Sequence, residues 1–305
     1  MAFTAADVKN LREMTGVGMM DCKKALAASD GDMDKAIEYL REKGLAASAK
    51  KAGRIAAEGM AYATVIDGMG VVVEVNAETD FVGKNDKFVG FVKGVAATVA
   101  KEKPADLDAL MACKYAGTEL TVTEQQQEMV LVIGENIKVR RFAFFTEGVS
   151  VAYVHAGGKI GVLVNLDTDL TAEQVEEMGK DVAMQIAALN PRFWDKSQVT
   201  EDVLENEKKI MLAQMANDPK MANKPEQVRE KIVMGKLNKF YTENCLLQQE
   251  FVKDNDLTVE KYLAAAAKAL GGKVTFKDAV RFEKGEGIEK KEENFAAEIA
   301  SMVKG

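Results

Sequence analysis

A six-residue echo constrains this chain more than any other feature. Val75-Asn76-Ala77-Glu78-Thr79-Asp80 returns 89 positions on as Val164-Asn165-Leu166-Asp167-Thr168-Asp169. In both copies a strand-like run precedes the motif, and apolar positions at helical spacing follow it. Two related α+β subdomains are the economical explanation. Leu170 stands where the first copy has Phe81, so only the first copy ends in an acid followed by a large aromatic.

Around this echo the chain divides by period. Thr4 with Asp7 forms a capping box ahead of Val8 and Leu11, Thr15-Gly16-Val17-Gly18 breaks that helix, and a second carries Cys22, Ala25 and Leu26 inward. Asp30-Gly31-Asp32 recaps a third helix, lined by Ala36, Ile37 and Leu40, which the pattern ends at Gly44. Leu45 to Ala57 reads as a helical linker. Strand period begins near Gly59: Ala61–Ile66 meets Val71–Val75 across an Asp67-Gly68 hairpin signal. A helix with Phe88, Phe91, Val92, Val95 and Val99 on one face ends before Pro104. Val139–Phe145, Val151–His155 and Ile160–Leu166 are further strands, and Val175, Met178, Val182, Ile186 and Leu189 mark another helix. Residues 200 to 240 read as an antiparallel helical hairpin, with Val203, Ile210 and Met215 on one stripe, Val228, Ile232 and Leu237 on the other, and a turn from Asn217 to Pro225. Strand signals resume from Val274 to Phe282.

Composition narrows the chemistry. With 305 residues, 47% of them hydrophobic, the chain can bury a sizeable core and split into modules. A formal net charge of −7 disfavours a general nucleic-acid binder, and the basic clusters Lys50-Lys51-Arg54 and Lys138-Arg140-Arg141 read as solvated faces. No run of about 18 apolar residues suggests a membrane span. The first residues resemble neither a signal nor a transit peptide, so a cytoplasmic protein is expected. Cys22, Cys113 and Cys245 are scattered, with no paired spacing for a disulfide framework or zinc site. His155 is the single histidine, which limits general acid–base and metal chemistry. Gly16-x-Gly18 follows a helix rather than a strand, and Gly271-Gly272-Lys273 lacks a phosphate-loop spacing. Neither an enzyme nor a cofactor is expected.

Several of these stretches resemble the elongation factor Ts family. Thr15 to Leu26 is similar to its N-terminal signature, and Glu74 to Val82 to its second. Ile133-Gly134-Glu135-Asn136-Ile137-Lys138-Val139-Arg140-Arg141, His155 before Ile160-Gly161-Val162-Leu163, and Glu286-Gly287-Ile288-Glu289-Lys290 followed by Phe295-Ala296-Ala297-Glu298 are similar too, in the family's order. The resemblance implies an α+β protein with an N-terminal three-helix ubiquitin-associated-like domain and linker (1–54). It implies a duplicated core with antiparallel sheets, subdomain N (55–147) and subdomain C (148–198 and 241–282). An antiparallel coiled-coil hairpin (199–240) is inserted, and a short C-terminal helical module (283–305) follows.

The implied function is exchange of guanine nucleotide on elongation factor Tu during translation elongation, by protein–protein contact and without covalent chemistry. In the family the Thr-Asp-Phe-Val segment approaches the partner's magnesium site. Carried over, Thr79, Asp80, Phe81 and Val82 would do so, with Phe81 as the wedge and Asp80 beside it. Met19, Met20, Lys23, Ile133, His155 and Val252 would make further partner contacts, the Val252 region matching the family only loosely. No direct nucleic-acid or membrane partner is implied. A homodimer or a two-by-two complex with elongation factor Tu stays open. From residues alone, Phe81 could instead cap the core below its helix, Met19 and Met20 could pack locally, and His155 could be a satisfied strand histidine. A ubiquitin-associated-type adaptor is the rival function, and an enzyme the remote third.

Overall fold

The computed structural model describes residues 3–218 and 224–289. The expected turn residues 219–223 lie outside these, as does the C-terminal module from residue 290 onward, with Phe295-Ala296-Ala297-Glu298.

Three helices open the chain: α1 (Ala5–Thr15), α2 (Met19–Ala28) and α3 (Met33–Lys51). The Thr4–Asp7 capping box starts α1, and Gly16 ends it in the left-handed region at φ 69°. Leu11, Cys22, Ala25, Leu26, Ala36 and Leu40 form a small core that also takes in Leu131 and Val132 from a later helix. Gly44 does not end α3 as the sequence pattern suggested. A Cβ there would lie 3.3 Å from the Gln127 carbonyl oxygen, so the glycine lets α3 approach that later helix. The Ala- and Lys-rich stretch beyond it then keeps helical hydrogen bonding to Lys51.

Strands β1 (Glu58–Ile66), β2 (Met69–Ala77) and β3 (Lys138–Phe145) form one antiparallel sheet in that order. The hairpin turn is the tight two-residue Asp67-Gly68, both at positive φ. Between β2 and β3 come α4 (Asp86–Glu102), α5 (Leu107–Ala112) and α6 (Val122–Ile133). The second sheet orders β4 (Val149–His155), β5 (Ile160–Thr168) and β8 (Val274–Glu283). Its insertions are α7 (Ala172–Leu189), α8 (Glu201–Asn217), α9 (Glu226–Asn244), the short strands β6 (Glu250–Phe251) and β7 (Asp254–Thr258), and α10 (Val259–Leu270). The fold is α+β, with antiparallel sheets throughout.

The layers run helix, sheet, sheet, helix. One core lies between the first sheet and α4–α6, built on Phe88, Phe91, Val92, Leu110 and Val130. Another lies between the second sheet and α7 and α10, built on Val164, Leu166, Val182, Ile186 and Leu263. Between the sheets sits a thin seam of Ala61, Ala63, Val72, Leu163 and Phe282. Small residues permit that contact: a Cβ at Gly70 would fall 2.5 Å from Ser150 Oγ. β2 is therefore covered on both faces, and all nine of its residues are buried.

The echo extends beyond its six residues. Asn76 and Asn165 are both buried, and Gly59 and Gly148, also 89 apart, lie close to them at φ 109° and 74°, Gly59 directly opposite Asn76. A Cβ on Gly59 would fall 2.2 Å from the Val75 carbonyl oxygen, and one on Gly148 2.8 Å from that of Leu166. Gly59→Ala is expected to lower stability by about 2 kcal/mol, from the disfavoured φ and the backbone clash together. Urea unfolding checks this, with Gly68→Ala as a control where nothing lies within 4 Å.

The hairpin's buried seam takes in most of the expected stripes but not all of them. Ile210 and Val228 are exposed, while Met215, Val233 and Leu237 pack with Leu204 and Met211, and Phe240 packs with Val199 and Cys245. Spacings of seven and four (204, 211, 215) and of four and three (233, 237, 240) are helical repeats that keep one face inward. Met215, Leu237, Ile232 and Val203 of the expected stripes do lie in or against this seam, and only Ile210 and Val228 fall outside it.

Candidate partner-binding face

β2 ends at Ala77, and the chain turns through Glu78-Thr79-Asp80-Phe81 into a single 3-10 turn, Val82–Lys84. Asn85 then caps α4 by accepting the Lys87 and Phe88 N–H groups. Val82 is buried in the first core, which pins the turn from below. Phe81 is 81% exposed, with ordinary right-handed helical φ and ψ. It does not cap the core.

Two carboxylates hold this turn. Glu135 accepts the Thr79 N–H at 2.9 Å and the Thr79 hydroxyl at 2.6 Å, on different oxygens. Glu78 accepts the Asn136 N–H at 2.6 Å, and Arg54 Nη1 stands 3.4 Å from Glu78. Asn136 Nδ2 donates to the Arg54 carbonyl at 2.8 Å. The loop after α6 and the segment after α3 are thereby bound to the turn. Gly134, left-handed at φ 86°, ends α6 and starts that loop.

The second copy is built differently. Leu170 is partly buried against the second core, and a Cβ on Gly272 would lie 2.5 Å from its side chain. Asp169 accepts the Lys273 N–H at 2.7 Å, and Thr168 Oγ1 accepts the Leu170 N–H. The α10–β8 turn covers this copy, whereas Phe81 projects freely.

The N-terminal helices lie beside the first turn. Lys87 Nζ, at the start of α4, donates to the Gly16 carbonyl at 2.9 Å. Three residues later α2 begins, with Met19 and Met20 exposed (52% and 64%) and Lys23 exposed as well. These methionines are free of the bundle core. Ile133 is partly buried against the first core, so its contact surface is limited. Thr79 to Val82, Ile133 and the start of α2 thus surround the N-terminus of α4.

His155 and Val252 belong to the other half. His155 ends β4, exposed, with Nδ1 2.9 Å from the Tyr153 hydroxyl. Val252 is 43% exposed in the β6–β7 turn. Buried Gln185 accepts the Val252 N–H at 2.8 Å and donates to Gln249 and to the Glu250 carbonyl. Lys253 pairs with Asp181 at 2.6 Å. This turn is held nearly as firmly as the first.

A feature the sequence reading missed lies behind β2. Glu74, fully buried, is bonded by Arg140 at 2.9 Å, Arg141 at 2.5 Å, Asn76 Nδ2 at 3.0 Å and the Gly285 N–H at 2.8 Å. Arg140 and Arg141 are not the solvated pair expected. A β-bulge opposite Glu74 and Val75 inserts one residue into β3, so both neighbours reach the same carboxylate. Burial resists ionisation of Glu74, yet these hydrogen bonds outweigh it and hold the carboxyl below its ordinary range. Arg141 also stacks 4.3 Å over Phe282 and pairs with Glu286 at 3.0 Å. Segments 74–82, 133–141 and 283–286 meet here.

The site holds little that could do covalent chemistry. Among the described residues no three His, Cys, Asp or Glu side chains gather as metal ligands, and no helix is long and apolar enough to cross a membrane. All three cysteines are free, and burial pushes the Cys245 thiol up to about 11, which suppresses its thiolate. What the face offers is a fixed, exposed aromatic flanked by apolar and charged side chains.

Comparisons with known proteins agree with one another. Residues 78–286 match the family model described as Elongation factor TS. The chain is 48% identical to elongation factor Ts of Syntrophotalea carbinolica, with all of both chains covered. It is 50% identical to that of Trichlorobacter lovleyi over 99% of each chain, and 50% identical to that of Clostridium perfringens over 98% of each. A match of this length and identity leaves the assignment in no doubt: this chain is a member of the elongation factor Ts family.

Proposed function

We propose that this protein is the guanine-nucleotide exchange factor of elongation factor Tu. It binds the GDP form, disturbs the magnesium site with Thr79, Asp80, Phe81 and Val82, and releases GDP so that GTP can bind. The observation that carries this reading is Phe81, a large aromatic left 81% exposed on a turn held by its neighbours. A monomeric fold gains nothing by presenting such a group, whereas a buried aromatic anchor is what dominates a protein interface.

The mechanism is linkage. A factor that binds the nucleotide-free partner more tightly than the GDP form weakens GDP binding by the same ratio. Each tenfold gain in release takes about 1.4 kcal/mol of differential binding. Phe81 wedges between partner helices in this account, and Met19, Met20, Lys23, Ile133, His155 and Val252 supply the broader attachment. No step forms or breaks a covalent bond.

The finer architecture belongs to the same proposal. Residues 1–54 form a ubiquitin-associated-like domain with its linker, and 55–147 form core subdomain N. Residues 148–198 with 241–282 form core subdomain C, 199–240 an inserted coiled coil, and 283–305 a C-terminal module. The factor works in the cytoplasm without direct nucleic-acid contact. Stopped-flow release of fluorescent GDP from purified elongation factor Tu tests the function. Strong, saturable acceleration by this protein is expected. No acceleration by a folded sample would overturn the reading and favour an adaptor role for the exposed Met19-Met20 helix.

A further inference from the structure

We propose that Glu135 is a positioning residue for exchange: its carboxylate fixes the Thr79–Val82 turn so that Phe81 meets the partner already in place. The inference rests on the exchange reading above and adds to it a role for a residue that never needs to touch the partner.

The two copies of the repeat supply the argument. Both have the same strand end, and both must turn the chain into a helix. In the second copy packing settles the turn, because Leu170 lies against the second core and Gly272 closes over it. The first copy has no such option, since Phe81 points away from the protein. Only Val82 anchors it by burial. Thr79 therefore has to be held by polar contacts, and Glu135 takes both of its donors, at 2.9 Å and 2.6 Å. In the second copy Thr168 bonds locally to the Leu170 N–H instead. The fold thus makes this turn without a carboxylate when nothing has to be presented, and uses one where an aromatic is held out in solvent.

Charge sharpens the hold. A carboxylate accepting two bonds on two oxygens fixes an orientation as well as a distance, and such charge-assisted bonds are the stronger class. Glu78 completes the link in the opposite direction by accepting the Asn136 N–H at 2.6 Å. Residues 78–79 and 135–136 therefore grip each other twice, once from each side. A turn held this way spends little ordering entropy when it docks, and the saving appears in whatever step depends on Phe81.

The test pairs two measurements on the full chain. Amide hydrogen exchange of the free protein reads the grip directly: Glu135→Ala is expected to speed exchange across Thr79–Val82 and leave β2 and α4 protected. Fluorescent GDP release then reads its consequence. Glu135→Ala is expected to lower the maximal release rate roughly tenfold while shifting the half-saturating concentration less than about threefold, because the broad interface remains. Glu135→Gln keeps one acceptor oxygen for Thr79 and should lose less than Glu135→Ala, whereas Thr79→Val, which removes the hydroxyl donor, should lose several-fold. Combining Thr79→Val with Glu135→Ala should cost little more than Glu135→Ala alone, as expected for one shared interaction. Glu135→Gln keeps the test decisive even if Glu135→Ala proves unstable. Wild-type acceleration with full-rate Glu135→Ala and Thr79→Val variants would remove the role of Glu135 and leave the exchange reading standing. No acceleration by the wild type would remove the exchange reading, and this role with it.

Discussion

Phe81→Ala is expected to lower the maximal rate of GDP release from elongation factor Tu by about one to three decades, with no loss of folding. The range follows from truncating a desolvated aromatic anchor, about 2–4 kcal/mol, at about 1.4 kcal/mol per decade. The fold should be indifferent because the ring is 81% exposed and belongs to none of the cores. Leu170→Ala is the matched control from the second copy of the repeat. That side chain packs against the second core, so its truncation should cost stability and leave release unchanged in a folded sample. Thermal melts and stopped-flow release on both variants separate the two roles. A Phe81→Ala protein that releases GDP at the wild-type rate would sink the wedge, whatever the other contacts do.

The sequence made the scaffold legible wherever one period governed a segment. α4 and α7 each bury a face set by a 3.6-residue repeat, β2 and β5 are apolar runs buried on both faces, and the expected core positions Phe88, Val95, Val175 and Ile186 are buried. Where tertiary contact overrode local pattern, the reading slipped. Gly44 looked like a stop because glycine often ends helices, yet here it serves close approach to α6. No expected element covers α5, α6, α10 or the β6–β7 ribbon, although α10 carries Val259, Leu263 and Ala267 at helical spacing on a buried face.

The face divides in the same way. Phe81 could be singled out from sequence, but its exposure could not, because an aromatic at the end of an element is more often core. The family resemblance carried that step, and the 81% exposure agrees with it. Glu74 was legible in principle: a lone charge in the apolar run Val71 to Val75 asks for a buried partner, and an adjacent arginine pair was available. What hid the match was the bulge in β3, which has no local sequence mark. Glu135 was hidden for another reason. Nothing in its own segment says that it reaches 56 residues back to Thr79.

Glu74→Gln is expected to destabilise the protein by about 3–5 kcal/mol, the range for removing one member of a buried ionic network. The amide keeps the size of the carboxyl but not its four acceptor directions. Oε1 takes Arg140, Asn76 and the Gly285 N–H, while Oε2 takes Arg141. Either orientation of the amide sets an NH2 group against donors and leaves two arginines without their buried counter-charge. The damage should spread to β8, because Arg141 also stacks on Phe282 and Gly285 loses its acceptor. Acid provides an independent check. The native carboxyl is held below its ordinary value of 4.5, so its contribution is complete above that value and is lost as the pH falls through the lower native one. Wild-type melting temperature should therefore drop as the pH goes below about 4.5, and the Glu74→Gln protein, already without the charge, should show a shallower fall over the same window. Parallel curves would mean that other carboxylates govern acid stability. A Gln variant as stable as the wild type would mean that the network positions the 283–286 segment without strengthening the fold. Its remaining signature would then be faster amide exchange at Gly285 alone.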